Sequence, residues 1–486
     1  MKQIRLIDNT LYTQEKSEAF PYSSPLEILK QQQSEPIKFL KYLSSNTIQN
    51  LNDGEEGGIL VWPHSFNKDF MDMKVVECVN NNNNKIDSLR TDNLIGWIGN
   101  GKVQIEINSR FSHSTDKKDK QDFFLYYMLS KVFRMNIVNM EVGGGSLKEL
   151  DLLIFMFPRL FQEAMRQGLF KQYVKREYND SNIKGTIDVN RHLRFNYPAN
   201  GRIAYRTREF SYDNHVTQLI RHTIAHIEQL PMGRAVLYGS KEIEECVKHI
   251  VQSTPTFQRG QLRQVMADNR KAVSHPYFTK YKALQQICLA ILRNERVSHG
   301  AQTDKVHGVL IDAAWLWEEY LAVVLSENTS FTHHTSDNAF HLFEKSGETF
   351  QKVIPDYLDA ENNLVADAKY IPLHRFDRMD AERAAAVYYK TIMYMYRFKA
   401  TKGFLFHPCN QEDINYIKED KEKPLPFTIN EGLISSDYKI VDTEGYLYEL
   451  GMIIPNADNY EAFCVNMRNI EAQFKNKIQE YIKPSD

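Results

Sequence analysis

Along this chain the spacing of apolar positions changes twice. The first part alternates with a period of two. Leu94-Ile95-Gly96-Trp97-Ile98, a Gly99-Asn100-Gly101 turn and Val103-Gln104-Ile105-Glu106-Ile107 predict a β-hairpin. Between about 147 and 300 the period lengthens. Val216, Leu219, Ile220, Thr223, Ile224 and Ile227 fall on one face of a helix within 213–230, and a second helix is expected at 277–293 after Pro276. Beyond about 303 the two kinds of element interleave. A helix is expected around 311–325, strands near 350–358 and 364–371, a helix at 381–398 and a strand at 404–406. Further strands follow at 438–441 and 446–454, and an amphipathic helix at 459–482 closes the chain. The pattern predicts an α/β (α+β) multidomain protein. Its parts are a β-rich N-terminal domain over 1–145, a helical middle domain over 146–300, and a C-terminal domain over 301–486 with a mixed sheet flanked by helices. Five consecutive asparagines at 80–84 predict an exposed loop, and Gly143-Gly144-Gly145 a break between the first two parts.

Composition narrows this picture. A chain of 486 residues, 42% of them hydrophobic, is ample for two or three cores. The net charge of −2 means that any nucleic-acid surface must be a local patch. One stretch qualifies: between Arg159 and Arg208 eleven Lys/Arg stand against four acids, an excess of seven, with Phe170, Tyr173, Tyr178, Phe195, Tyr197 and Tyr205 interleaved. Arg191, Arg206 and Arg208 are the candidates there for contacts to the phosphates of double-stranded DNA. The five cysteines stand far apart with no Cys-x-x-Cys pair, which fits a reducing compartment and argues against a zinc ribbon. The start lacks the apolar core of a signal peptide, and the longest apolar run, 152–157, is far too short to span a bilayer. A cytoplasmic protein without a membrane partner is the expectation.

The chemistry is concentrated in Ile354-Pro355-Asp356 and Leu364-Val365-Ala366-Asp367-Ala368-Lys369-Tyr370. Strand alternation sets Val365, Asp367 and Lys369 on one face, with Ala366, Ala368 and Tyr370 on the other. Charges in so apolar a strand are costly unless they are paired or bind a metal. Two acids and a lysine so placed suit metal-dependent phosphodiester hydrolysis. Asp356 and Asp367 would bridge Mg2+ (or Mn2+ as a substitute), the Ala368 carbonyl would be a third ligand, and Lys369 would orient the attacking water or stabilise charge on the phosphorus oxygens. The plain alternative is a surface hairpin with solvated charges. A further acid is expected from the preceding helix, in Ala314-Trp315-Leu316-Trp317-Glu318-Glu319-Tyr320. Helical projection sets Glu319 nearer the Leu316/Tyr320 face and Glu318 almost opposite, and does not decide between them. Lys390, after Tyr389 on the next helix, could approach a phosphate, but an exposed surface lysine is the plainer reading. The spacing of His333, His334 and His341 matches no zinc motif.

These residues, with others along the chain, resemble the McrC / LlaJI-type family of restriction-endonuclease subunits, in which a PD-(D/E)xK nuclease domain lies at the C-terminus. Four elements occur in the same order. Gly96-Trp97-Ile98 with Gln104-Ile105-Glu106-Ile107-Asn108 resembles the N-terminal hairpin. Tyr178-Asn179-Asp180, Ile183-Lys184-Gly185-Thr186-Ile187-Asp188 and Arg191-His192 resemble the middle signature. Trp317-Glu318-Glu319-Tyr320 resembles a Phe-Glu-x-Tyr element, which favours Glu318, and Asp356, Asp367 and Lys369 fall on the catalytic positions. Where a glutamine commonly follows a tyrosine in the next helix, this chain has Lys390. The resemblance implies a partner: a separate McrB-like AAA+ ring, usually a GTPase, that recognises DNA and often its methylated cytosines. The N-terminal part of the nuclease subunit would dock in its pore and stimulate hydrolysis, and the 80–90 stretch is a candidate for that contact. A nuclease dimer would supply two active sites for two strands. The chain should then lack a nucleotide site of its own. Gly96–Lys102 does satisfy G-x-x-x-x-G-K, but Val103 replaces the Ser/Thr and a strand follows where a phosphate-binding helix should begin. Two other readings remain: an inert activator of the ring, and a stand-alone repair nuclease.

Overall fold

The computed structural model describes residues 2–14, 23–52, 58–63, 72–80, 85–111, 122–133, 149–230, 233–298, 306–327, 329–334, 339–373, 381–419, 427–430 and 432–482. Most of the asparagine run and the Gly143–Gly145 break lie outside the described residues. The chain divides into two compact units. One joins Met1–Ser146 with Asp304–Asp486, and the other is Leu147–Thr303. The first and last of the three sequence-predicted parts therefore belong together, with the middle part inserted between them.

In the first unit a five-stranded sheet runs in the order Lys2–Ile7, Val103–Asn108, Leu94–Gly99, His307–Asp312 and Gly58–Trp62. The expected hairpin is present: Leu94–Gly99 and Val103–Asn108 pair antiparallel, and the Asn100 side chain accepts from the Lys102 and Val103 N–H groups. The Gly96–Lys102 motif is thus a hairpin turn. His307–Asp312 differs from expectation. The sequence assigns this stretch to a separate C-terminal domain and begins a helix near 311. Instead it is a strand parallel to Gly58–Trp62 and antiparallel to Leu94–Gly99. Its central run, Gly308–Ile311, is buried on both faces, so it carries no alternation that would mark it as a strand. The helix begins only at 313: the Asp312 carboxylate caps Ala313–Ser326 by accepting from the Ala314 and Trp315 N–H groups.

The same unit carries a seven-stranded mixed sheet in the order Thr332–His333, Tyr357–Asp359, Leu364–Ala368, Lys402–Cys409, Tyr446–Ile453, Leu433–Lys439 and Thr428–Asn430. Leu364–Ala368, Lys402–Cys409 and Tyr446–Ile453 run parallel and are mostly buried on both faces. Helix Ala381–Phe398 covers one face, where Val353, Leu358, Val365, Tyr394 and Met395 cluster. On the other face Trp317 of Ala313–Ser326 donates its indole N–H to the Phe406 carbonyl, and Phe474 of Tyr460–Ile482 meets the Phe406 ring at 5.1 Å. The buried Glu471 carboxylate joins three helices there, accepting from Tyr127, Tyr320 and Lys131 at 2.8–2.9 Å.

In the second unit the helices His215–Ile227 and Tyr281–Ser298 match the expected pair. The unit is not wholly helical, however. Thr186–Ile187, Ile203–Ser211 and Gln172–Asp180 form a three-stranded sheet in that order. Both faces of this ladder carry polar side chains, so the apolar alternation that announces a strand is missing. Among the described residues no helix is long and apolar enough to cross a membrane.

Candidate active site

Asp356 and Asp367 are brought together by a short hairpin. Tyr357–Asp359 pairs antiparallel with Leu364–Ala368. The turn is closed by the Asp359 carboxylate, which accepts from the Asn362 N–H and side-chain amide, and by Asn363 in the left-handed region at φ 55°. Just before the first strand, the Ile354 carbonyl accepts from Tyr394 and the Asp356 carbonyl from the His334 N–H. With its backbone so held, Asp356 turns its carboxylate across the hairpin, where Oδ2 accepts the Ala368 N–H at 2.7 Å.

The expected alternation is observed. Val365 packs under Tyr394 and Met395, on the face of helix Ala381–Phe398. Tyr370, of the opposite set, reaches the N-terminal sheet, where its hydroxyl meets Ser109 Oγ at 2.6 Å and its ring lies 4.8 Å from the Arg110 guanidinium. Asp367 is fully buried. Its two oxygens meet different ammonium groups: Lys369 Nζ contacts Oδ2, and Lys390 Nζ lies 3.4 Å from Oδ1.

The two acids act on each other, and their pKa values move in opposite directions. Burial, then the Asp367 and Glu318 charges, push the Asp356 carboxyl well above the usual range. Burial opposes ionisation of Asp367 too, but Lys369, Lys390 and the hydrogen bond from Asp356 together outweigh it and hold Asp367 low. Among the described residues no group of three or more His, Cys, Asp or Glu side chains is gathered for a metal. The donors here are two carboxylates.

Glu318 of the preceding helix adds its charge to those acting on Asp356. Its carboxylate is engaged by His333 Nε2 at 2.8 Å, and its carbonyl accepts from Tyr357. Burial alone would depress His333, but Glu318 outweighs it and holds the imidazole above its ordinary value. Lys390 is exposed, as the sequence suggests, and it also reaches Asp367; the Asp367 and Tyr394 side chains raise its pKa against the effect of burial.

The three candidate arginines lie in the other unit and differ among themselves. Arg206 is ion-paired with Asp188 at 2.6 Å and Glu177 at 3.2 Å, and Arg191 with Glu177 at 3.4 Å. Arg208 instead lies 5.1 Å over the Tyr173 ring. Internal pairing thus leaves Arg208 as the one of the three with an open charge.

The family model for the McrBC 5-methylcytosine restriction system component matches residues 89–408. The chain belongs to that family. It is the restriction-system family that the four sequence elements resemble, and the matched span contains Glu318, Asp356, Asp367, Lys369 and Lys390 of this McrBC component. No curated protein matches. Two solved structures are similar, both from Thermococcus gammatolerans. One is a half-complex of a tetradecameric assembly of McrB AAA+ hexamers with bound McrC (TM-score 0.42, 14% identity, 96% of this chain and 100% of that one). The other is the McrBC complex (TM-score 0.29, 14% identity, 67% and 88%).

Proposed function

We propose that this restriction-system component is its DNA-cleaving subunit: an Mg2+-dependent endonuclease of the PD-(D/E)xK type that works with an AAA+ GTPase ring. The observation that carries this reading is that Asp356 accepts from the Ala368 N–H beside Asp367, whose two oxygens each meet a lysine. Two acids placed close together in a buried site repel each other, and the lysines on Asp367 relieve part of that. A hard divalent cation would relieve it as well, and a two-carboxylate donor set suits Mg2+, which keeps several waters. Asp356 and Asp367 would hold it, with the Ala368 carbonyl as the remaining candidate. When bound, it would supply Lewis acidity and a water made nucleophilic near neutral pH.

The chain's own groups do the rest. Lys369, mostly covered, contacts Asp367 and would hold the attacking water or offset charge on the phosphoryl oxygens. Glu318, steadied by His333, keeps the site anionic and orients the hairpin through its carbonyl bond to Tyr357. DNA as substrate, 5-methylcytosine dependence and a nuclease dimer belong to the same proposal, as does the AAA+ partner that the Thermococcus McrC binds.

The test is plasmid cleavage by the full chain with Mg2+, with and without a cognate AAA+ ring and GTP. Cleavage only with the ring, lost in Asp367→Ala while stimulated GTP hydrolysis persists, is expected. Wild-type cutting by Asp367→Ala would overturn the site. Stimulated hydrolysis with no cutting under any condition would leave an inert activator, and strong cutting without the ring a stand-alone repair nuclease.

A further inference from the structure

In the Leu147–Thr303 unit, Gln172–Asp180 and Ile203–Ser211 pair in antiparallel register, so Tyr173 stands opposite Phe210, Lys175 opposite Arg208 and Glu177 opposite Arg206. All six side chains lie on the exposed face of the ladder. Glu177 and Arg206 are a matched pair, 3.2 Å apart. Lys175 and Arg208 are not: two cations face each other, and among the described residues neither has a carboxylate within ion-pair distance. Like charges directly opposite weaken a ladder, so folding alone does not account for this pair.

The aromatic groups around it are open. Tyr173, Phe210 and Tyr212 are 61%, 53% and 44% exposed. The Tyr173 and Phe210 rings are 5.0 Å apart, and Lys171 Nζ lies 4.7 Å from both the Phe210 and Tyr212 rings. Exposed rings set among cations are the surface that single-stranded nucleic acid recognises, with bases on the rings and phosphates on the charges. A duplex would meet the cations but has no free base faces for the rings.

We infer that Lys171, Tyr173, Lys175, Arg208, Phe210 and Tyr212 form a binding strip for a single strand of nucleic acid. The inference is independent of the nuclease reading, since the strip contains none of the carboxylates at Asp356 and Asp367.

The test is fluorescence anisotropy of the full-length chain in EDTA, which prevents cutting, with an oligothymidylate of about 20 nucleotides and a duplex of equal length. The single strand is expected to bind more tightly than the duplex and to weaken steeply between about 50 and 200 mM salt. Tyr173→Ala with Phe210→Ala should lose roughly tenfold in single-strand affinity. Lys175→Glu should lose affinity while its Tm stays at or above the wild-type value, because it turns a repulsive pair into an attractive one. That separates lost binding from lost folding. Duplex binding equal to single-strand binding, with the ring variant unaffected, would overturn the strip, as would unchanged affinity in Lys175→Glu. Retained oligonucleotide binding with lost binding to the AAA+ ring would reassign the surface to protein docking and overturn it too.

Discussion

At Asp367 each carboxylate oxygen has its own lysine, and the two lysines are not equivalent. The Lys369 side chain is 15% exposed and the Lys390 side chain 43%. Both compete with any cation for the same carboxylate, and Lys390 can leave more easily. Lys390→Met is therefore expected to lower the Mg2+ concentration for half-maximal cleavage. The effect should be about fivefold, since a partly exposed ion pair is worth on the order of 1 kcal/mol after solvent screening. A Mg2+ titration showing no change would remove Lys390 from the site. Nearby, His407 is fully buried with Nδ1 3.0 Å from the Ile371 carbonyl, and burial lowers its pKa to about 4. Because the folded protein keeps this imidazole neutral, acid favours the unfolded state once the pH falls below the ordinary value near 6.5. Stability is thus expected to decline from about pH 6.5 to about 4, by about 3 kcal/mol at most from this group, and His407→Gln should flatten that limb in denaturant titrations. Asp356, Asp367 and Lys369 were legible in the sequence because charges interrupt an otherwise apolar alternating strand. Lys390 was not, since its approach to Asp367 depends on which helix covers which face of the sheet.

Among the elements, the strands teach the same lesson from two sides. Leu364–Ala368 is marked by an acid set in a buried apolar run just ahead of a lysine, whereas His307–Asp312 is a short run, apolar at its centre, that reads equally well as the start of a helix. Gln172–Asp180 fails differently, because its polar side chains on both faces hide the period. The place of His307–Asp312 also explains a glycine. Gly96 has φ +130°, and a Cβ there would stand 2.2 Å from the Val309 carbonyl oxygen on the neighbouring strand. Gly96→Ala is expected to destabilise the protein by about 2 kcal/mol or more, through both the backbone conformation and the clash. A melting temperature equal to that of the wild type would contradict this pairing.

For the whole molecule, what the amino-acid order conceals is that Met1–Ser146 and Asp304–Asp486 make one unit, with Leu147–Thr303 inserted. The hairpin Leu94–Asn108 and the strand carrying Asp367 were each readable alone. Their union depends on one strand pairing across some two hundred residues of chain, which local periodicity cannot report. It places the Tyr370 end of the acidic strand against Ser109 and Phe111, and so ties the candidate site to the N-terminal sheet. The claim beneath all of this is that Asp356 and Asp367 together hold a hard divalent cation. Titration of the full-length chain with Mn2+, followed by electron paramagnetic resonance, measures that directly. One site, competed by Mg2+ and abolished in Asp367→Ala with the fold intact by circular dichroism, is expected. Equal Mn2+ binding by the wild type and Asp367→Ala, or none by either, would contradict it.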